Sequence, residues 1–285
     1  MNTTKKLFLS FLTFIVFNTA IFSQFLEIGT SIGTSSYQGD ISPLGWRLSF
    51  QGGRLAQGLL VGYSLNDVFS VKLSYFHTHL AANDEDAVDS WRKSRNLSFR
   101  TRLQEIAINL DIEPMDYFFK SHKLKPQLHL GLGVFKFNPQ AKYDGIYRDL
   151  QPLSTEGQGL PGSGKSTYNL TQISIPLGIG LKYYISDDLN IEFSFNPRKT
   201  FTDYLDDVSE SYYDYHELLK YKGSLAAELA FRGDEIDNSV AYPSNEIGRG
   251  NNDQNDWYIF NTFTIMYRFK SSWPFKSSRK VKCPY

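Results

Sequence analysis

The sequence predicts an all-β fold, an eight-stranded antiparallel transmembrane β-barrel, and three observations support this prediction. Apolar and polar residues alternate with a period of two over many segments, a pattern that a strand presents and a helix does not. Aromatic residues make up 15% of the chain, with 18 Tyr and 22 Phe. Short and long connections alternate strictly, which is typical of a barrel with short periplasmic turns and long external loops.

The chain begins with a segment typical of a secretory signal. Two lysines precede an apolar run from Leu7 to Phe17, and small or polar residues follow by Ser23. This run is shorter than the roughly 20 residues of a membrane-spanning helix. We therefore predict a signal peptide over residues 1–23 and a barrel domain over residues 24–269.

Net charge and cysteine content bear on two possibilities, a nucleic-acid partner and an internal disulfide. Without the two lysines of the signal, 28 of the 30 basic residues remain against 30 acidic ones, a net charge of −2. This balance gives no indication of a nucleic-acid partner. The single cysteine, Cys283, has no second cysteine with which to form an internal disulfide.

Eight segments are predicted to form the barrel strands. In chain order they are "LEIGTSI", "LLVGYSL", "FSVKLSYFH", "EIAINLDI", "QLHLGLGVFKF", "TQISIPLGIGLKYYI", "LNIEFSFNP" and "WYIFNTFTIMYRF". In the sixth segment Ile173, Leu177 and Ile179 share one face, while Ser174 and Lys182 share the other. A nearly unbroken apolar face beside a polar one fits lipid outside and a narrow polar lumen inside.

The connections predict the topology. Strands two and three are joined by "ND", strands six and seven by "SDD", and strands four and five by the moderate "PMDYFFKSHKLK". The long connections run over Thr34–Gln57, Ala81–Thr101, Asn138–Asn169 and Thr202–Asp256. With eight strands, both termini are expected in the periplasm and the long loops outside the cell outer membrane.

The lumen of so small a barrel is expected to be filled. Eight strands leave an interior just wide enough for side chains. The charged residues predicted to face it are Glu27, Lys72, Glu105, Asp111, Lys182 and Glu192. We expect them to fill the lumen with ion pairs and to leave no pore.

The last strand and the tail carry two further predictions. Phe263, Ile265, Tyr267 and Phe269 share one face of the final strand and are predicted to be its assembly signal. Residues 270–285 follow, with five basic residues and no acidic one. This periplasmic tail either docks an acidic partner or is a solvated disordered end.

The stretch "GLPGSGKS", residues 159–166, matches the phosphate-binding pattern G-x-x-x-x-G-K-[ST]. A P-loop needs a strand before it and a helix after it. Here the preceding "LQPLSTEGQ" is rich in turn residues, and the following "TYNLTQISI" is predicted to enter a strand. We interpret the stretch as a flexible external loop with an exposed Lys165, and we predict no nucleotide ligand.

No enzymatic site is predicted, and neither are catalytic residues, cofactors or metals. His77 and His79 are two residues apart on the lipid-facing side of one strand, where a metal would need more ligands. His129 is predicted to face the lumen, where it is either a structural residue or, paired with an acid, a general base of a barrel enzyme. No serine nucleophile with a base at definable spacing is found.

Three stretches carry a more specific resemblance: "FKFNPQAKYDGIYRDLQPLSTEGQGL", "RKTFTDYLDDVS" and "RGNNDQNDWYIFNTFTIMYRF". With the final "KCPY", they resemble the PorG-like outer-membrane barrels of the type IX secretion machinery. The resemblance implies a non-enzymatic barrel in outer-membrane lipid, bound to periplasmic secretion-ring proteins or lipoproteins. The alternative is a general surface barrel whose loops bind a ligand or a host.

The middle stretch is the most specific part of the resemblance. Its motif residues, where the seventh predicted strand ends, are Arg198, Lys199, Thr200, Asp203, Tyr204, Asp206 and Asp207. From their mixed charges we expect ion pairs that fix the long final loop. Within that loop, "YHELLKYKGSLAAELAF" is expected to form a short helix, as part of either a packed lid or a partner surface.

Overall fold

A computed structural model describes residues 25–42, 53–114 and 123–270 of the chain. Three predicted features lie outside these residues. They are the signal peptide over 1–23, the tail beyond Lys270, and most of the moderate turn near 115–125.

The described residues form nine β-strands and three short α-helices. The strands are β1 (Phe25–Gln38), β2 (Arg54–Ser64), β3 (Phe69–Asn83), β4 (Ser98–Ile112), β5 (Leu124–Tyr143), β6 (Ile146–Asp149), β7 (Thr171–Tyr184), β8 (Leu189–Thr200) and β9 (Trp257–Lys270). The helices are α1 (Ser90–Arg95), α2 (Tyr215–Lys222) and α3 (Ser224–Ala230).

Eight of the nine strands close into an antiparallel barrel, as the sequence predicts. Each barrel strand pairs with its neighbour in the chain, and β9 returns to pair with β1 from Phe25↔Lys270 to Gln38↔Trp257. β5 pairs with β7, while the short β6 pairs only with the far end of β5. The ninth strand therefore extends an external connection and does not change the strand number of the barrel.

Short and long connections alternate around the barrel, which confirms the predicted pattern. The turn at 65–68 is tight because the Asn66 side chain accepts hydrogen bonds from the backbone N–H groups of Val68 (2.8 Å) and Phe69 (2.7 Å). In the turn at 185–188, the Ser186 hydroxyl oxygen accepts a bond from the Leu189 N–H (3.2 Å). We name this side the turn end and the opposite side the loop end.

The outer wall carries a continuous apolar belt. Its side chains, each between 41% and 68% exposed, include Ile28, Ile32, Leu59, Leu73, Ile106, Leu132, Ile179, Phe193, Phe263 and Ile265. On β5 the belt runs from Leu124 to Val134, close to the span of about 9–11 residues that a tilted strand needs to cross a bilayer. The exterior is therefore that of a transmembrane β-barrel.

The described helices are all short. Within the described ranges, no helix has the length and apolar character needed to cross a membrane.

The lumen differs from the uniformly polar interior that the sequence predicts. Charged and small residues fill the half near the turn end, but the half near the loop end is an apolar core. Its buried members are Tyr37, Ile41, Ala56, Phe76, Leu80, Leu97, Phe99, Leu103, Phe135, Phe137, Tyr168, Leu205, Val208, Tyr258 and Phe260. The inward face changes character along the strands because the loop end has loops to pack against, and the turn end does not.

The long connections form an ordered cap over the loop end. Residues 201–256 supply α2 and α3, which are separated at Gly223 by a positive φ of 84°. Such a φ suits glycine, and it divides the predicted helix into two. Leu218, Ala226 and Ala230 pack with Leu160 from the connection after β6. The cap is therefore one packed unit with its own apolar centre.

Candidate functional site

A charge network fills the lumen near the turn end. The Lys72 ammonium lies 2.6 Å from Asp111 and 2.5 Å from Glu192, and the imidazole Nδ1 of His129 lies 2.8 Å from Asp111. All four side chains are at most 4% exposed. The register of β3, β4, β5 and β8 brings them together, because each faces inward at the same level of the barrel.

Two further groups of charges continue this network along the lumen. Toward the turn end, Lys182 lies 3.2 Å from Glu113 and 3.5 Å from Glu27, which also pairs with Arg268 at 2.8 Å. Toward the loop end, Arg198 pairs with Glu105 at 3.1 Å. The prediction that charged lumen residues form ion pairs is confirmed for all six of those named from the sequence.

Little space remains beside the charged residues of the lumen. The internal cavity beside Lys72, His129 and Glu192 holds about 20 Å³, which is room for about one water molecule. Each charge there has an oppositely charged neighbour, so none is left alone in a medium of low polarity. The described part of the lumen is therefore occupied by paired side chains.

His129 lies in the lumen, as predicted, and its ring lies between the carboxylates of Asp111 and Glu192. One ring nitrogen is bonded to Asp111, and the other lies 3.6 Å from Glu192. A Cβ at Gly180 would stand only 2.5 Å from the second nitrogen, so glycine at that position makes room for the ring. His129 is thus enclosed by the ion pairs of the barrel wall.

His77 and His79 project from the outer wall, and their rings are 5.6 Å apart. Within the described ranges, no group of three or more His, Cys, Asp or Glu side chains is arranged to hold a metal ion.

A second buried network holds the segments of the cap together. The Arg249 guanidinium lies 3.1 Å from Glu156 and donates hydrogen bonds to the backbone oxygens of Ala230 (3.0 Å) and Asp207 (2.5 Å). The Glu156 carboxylate in turn accepts a bond from the Ser209 N–H at 3.0 Å. Arg249 is 1% exposed, and it thereby joins three separate segments of the cap.

Asp207 is held mainly by hydroxyl groups. The Tyr168 hydroxyl donates to it at 2.6 Å, the Thr155 hydroxyl donates a second bond, and Arg249 lies 3.8 Å away. Burial raises the pKa of Asp207 to about 6, while Arg249 opposes the shift. Tyr204 stacks on Tyr168 with ring centroids 4.5 Å apart.

Asp206 and Asp256 share one tyrosine. The Tyr37 hydroxyl lies 2.6 Å from Asp206 and 2.9 Å from Asp256. A hydroxyl has one proton to donate, so the second contact requires a protonated carboxyl group. Burial and the neighbouring Asp206 raise the pKa of Asp256, which is consistent with such a proton.

The motif residues at the end of β8 contact both the barrel and the cap. Arg198 is paired inside the barrel with Glu105, and Lys199 is exposed on the outer wall. The Thr200 hydroxyl donates to the backbone oxygen of Asp256 at 2.6 Å. One ion pair of the expected kind joins Asp207 to Arg249 at 3.8 Å, while the shorter contacts of Asp206 and Asp207 are with hydroxyl groups.

The three stretches that carry the sequence resemblance meet in these networks. Glu156 comes from the first stretch, Asp207 from the second and Arg249 from the third. Tyr258, also from the third, donates to Glu105 at 2.5 Å beside Arg198. Sequence spacing could not predict that these residues meet, because Glu156 and Arg249 are 93 residues apart.

The stretch at 159–166 is an ordered part of the cap, which corrects the prediction of a flexible loop. Gly157, Gly159 and Gly162 adopt φ values between 76° and 80°, and the Gly159 N–H donates to the Lys165 oxygen at 2.7 Å. The Lys165 ammonium lies 3.2 Å from Glu210 and donates to the Ser211 oxygen at 3.2 Å. Lys165 therefore has partners within the protein and is not the free lysine that we expected.

The final strand presents Phe263, Ile265, Tyr267 and Phe269 to the outside, with exposed fractions of 44–63%. This face belongs to the apolar belt. Its role as an assembly signal stays a prediction.

A family model matches most of the chain. The model of a family described as a domain of unknown function (DUF6089) covers residues 5–228. The chain belongs to this DUF6089 family. No curated protein matches the chain.

Several solved structures resemble the DUF6089 barrel. Neisserial surface protein A is 9% identical, with 86% of this chain and 97% of that one covered and a TM-score of 0.43. Ail, the attachment invasion locus protein of Yersinia pestis, is 11% identical over 86% and 97%, with a TM-score of 0.39. A major outer membrane protein from Thermus thermophilus is 14% identical over 86% and 99%, with a TM-score of 0.38.

Arg249→Met is expected to release the cap and leave the barrel folded. The change leaves the buried Glu156 carboxylate without its cation, which typically costs about 3–5 kcal/mol. We expect faster proteolytic cleavage within residues 201–256, measured on the purified protein in detergent. Lys220→Met is the matched control, because Lys220 makes exposed contacts with Glu217 and Tyr221 in the same cap. Equal cleavage of both variants would contradict the anchoring role of Arg249.

The stability of the cap is expected to fall as pH rises from about 4 to about 9. Burial and the carboxylates of Asp206 and Asp40 raise the pKa of Asp203 to about 9. The folded state therefore keeps a proton that the unfolded state loses near its ordinary pKa of 3.8.

Asp203→Asn should raise the thermal unfolding midpoint at pH 8 and weaken its dependence on pH. Asp234→Asn, at an exposed position in the same cap, should change neither quantity. A wild-type thermal unfolding midpoint that rises between pH 5 and pH 8 would contradict the raised pKa of Asp203.

Proposed function

We propose that this chain is a non-enzymatic outer-membrane barrel that anchors a periplasmic ring of the type IX secretion machinery. The observation that carries the proposal is the sealed lumen, in which Lys72, Lys182 and Arg198 are each held by buried carboxylates. A barrel with a filled interior offers a partner its outer wall, its turns and its loops. Anchoring uses such surfaces and needs no channel and no reactive group.

The proposed outer-membrane location rests on two features together. The apolar belt closes around an antiparallel barrel, and a closed barrel satisfies all backbone groups within lipid. The predicted signal over residues 1–23 supplies a route of export. Because the barrel strands are even in number, both ends of the barrel domain lie at the turn end, which we assign to the periplasm.

The proposed periplasmic partner rests on the sequence of the tail. Two of the turns are very short, so little protein is available on that side. Residues 270–285 combine five basic residues with Trp273, Phe275 and Tyr285. Aromatic side chains anchor protein interfaces, and charge steers the approach of an oppositely charged partner. The link to secretion comes from the resemblance of the three stretches to PorG-like barrels.

The cap supports a second candidate function, binding of a ligand or host surface at the loop end. Val88 and Trp91 near α1 are 74% and 57% exposed, and Ile236 and Ile247 in the cap are 61% and 51% exposed. Exposed apolar residues on an ordered surface are typical of contact sites. The two functions use opposite ends of the barrel, so they can be tested separately.

The orientation is testable with Cys283, the single cysteine of the chain. A membrane-impermeant maleimide should leave Cys283 unlabelled on intact cells and label it once the outer membrane is permeabilised. The matched control is Cys283→Ser combined with Lys220→Cys, since the Lys220 side chain is 58% exposed in the cap. This variant should be labelled on intact cells. Labelling of Cys283 without permeabilisation would contradict the periplasmic assignment of the tail.

The secretion role is testable by co-purification in mild detergent. The full chain should retain periplasmic ring proteins or lipoproteins, and deletion of residues 271–285 should lower their yield. The deletion keeps Phe269 and the whole pairing of β9 with β1, so barrel insertion should be unchanged. If charges carry the contact, the remaining yield of the full chain should fall with added salt.

Trp91→Ser, at the loop end of the barrel, is the control for a contribution of the cap to ring binding. It should leave ring proteins bound. Wild-type yields from a fully inserted deletion variant would rule out the tail as the docking surface.

A further inference from the structure

The outer wall carries a basic patch beyond the apolar belt, on neighbouring strands β4 and β5. Arg100 and Arg102 project outward from β4, and Lys136 projects outward from β5. In the same register, Arg102 lies opposite Asn138 and Lys136 lies opposite Gln104. We name these three cations the rim patch.

The rim patch is continuous with the surface that faces lipid. The next outward residues toward the turn end are Ile106 and Val134, which pair directly with each other and are 58% and 53% exposed. The Gln104 side chain donates to the hydroxyl of Tyr75, which belongs to the outward face of β3. Tyrosine is enriched where a membrane protein passes from hydrocarbon to headgroups. The rim patch therefore lies at the level where lipid headgroups are expected.

The cations of the rim patch have no carboxylate partner. Among the described residues, no Asp or Glu oxygen lies within 4.0 Å of the charged atoms of Arg100, Arg102 or Lys136. Asp149, which pairs with Gln140 across β5 and β6, accepts bonds from the side-chain amides of Asn138 (2.9 Å) and Gln140 (2.6 Å). The three cations therefore form no ion pair with a described carboxylate, although Asp86 lines the same groove as Arg100.

The surface at the rim patch is concave. A groove of about 250 Å³ is lined by Arg102, Gln104, Lys136, Asn138 and Gln140, together with Phe137. A second groove of about 420 Å³ shares Gln140 and holds Arg100, whose guanidinium stacks over the Tyr147 ring at 3.9 Å. This contact holds the guanidinium in the groove, and a guanidinium can make a bidentate contact with a phosphate.

We propose that the rim patch binds the phosphate group of a membrane lipid headgroup at the loop end of the barrel. The lipid chains would lie along Ile106 and Val134, and the phosphate would be held by Arg100, Arg102 and Lys136. The amides of Gln104 and Asn138 line the same groove and offer hydrogen bonds to headgroup oxygens. The inference rests on the membrane-spanning placement proposed above, and it is independent of any role in secretion.

The test measures how much phosphate-bearing lipid the barrel retains. The full chain is placed in phosphatidylcholine nanodiscs doped with phosphatidic acid, and the lipids that stay bound after release are counted by native mass spectrometry. The variant combining Arg100→Gln, Arg102→Gln and Lys136→Gln should lose retention of phosphatidic acid about tenfold or more, because several charge-assisted hydrogen bonds are removed. Inorganic phosphate should not displace the retained lipid.

Lys199→Gln is the matched control. Lys199 is also exposed and outward-facing, on β8, and no described carboxylate lies within 4.0 Å of it. It should retain phosphatidic acid as the wild type does. Equal losses in both variants, wild-type retention in the triple variant, or displacement by inorganic phosphate would each overturn the proposal.

Folding is checked on the same samples by the heat-dependent electrophoretic shift of a closed barrel. A failure of the wild type to insert would count against the membrane placement itself, whereas loss of lipid from an inserted barrel concerns only the rim patch. If the triple variant does not insert, Arg102→Gln alone gives the decisive comparison. Arg102 is exposed and has no described carboxylate partner, so this variant should insert and show a several-fold loss, and full retention by it would contradict the proposal.

Discussion

The narrow interior of an eight-stranded barrel is the constraint on which the rest of this structure depends. Closing eight strands leaves room for side chains and little else. Each inward side chain must therefore pair its charge, or pack its ring, against other inward side chains. Near the turn end this is achieved with charges, as Lys72 shows between Asp111 and Glu192. Near the loop end it is achieved with rings such as Phe135 and Tyr258. Both solutions fill the narrow interior of the barrel with side chains.

The cap follows from the second of these solutions. The inward rings at the loop end need a cover, and Leu205 and Val208 from the connection after β8 provide it. The backbone and carboxylates that this burial brings inside must then be satisfied, which Arg249 and Tyr168 do. The loops are thus part of the core of the protein. Because the cap is packed, the external surface has a defined shape, as a binding surface requires.

The proposals for this barrel concern three surfaces: the turn end with the tail, the cap, and the outer wall. Their chemistry differs. The tail is basic and aromatic, the cap exposes apolar residues such as Trp91 and Ile236, and the wall changes along β4 from apolar at Ile106 to basic at Arg102. A partner protein, a ligand and a lipid headgroup can therefore each bind at a different surface.

The sequence by itself determined the barrel, its strand number, the alternation of its connections and the charges in its lumen. It did so because the side-chain period of a strand is fixed at two, so the two faces can be read directly, as at Ile173 and Ser174. Only the tertiary structure decided the cap, the partners of Lys165 and the rim patch. The inward rings Phe135 and Phe137 were not predicted to form a core. Contacts such as Arg249 with Glu156 join segments 93 residues apart, and which distant loops meet is set by closure of the barrel, which no local pattern records.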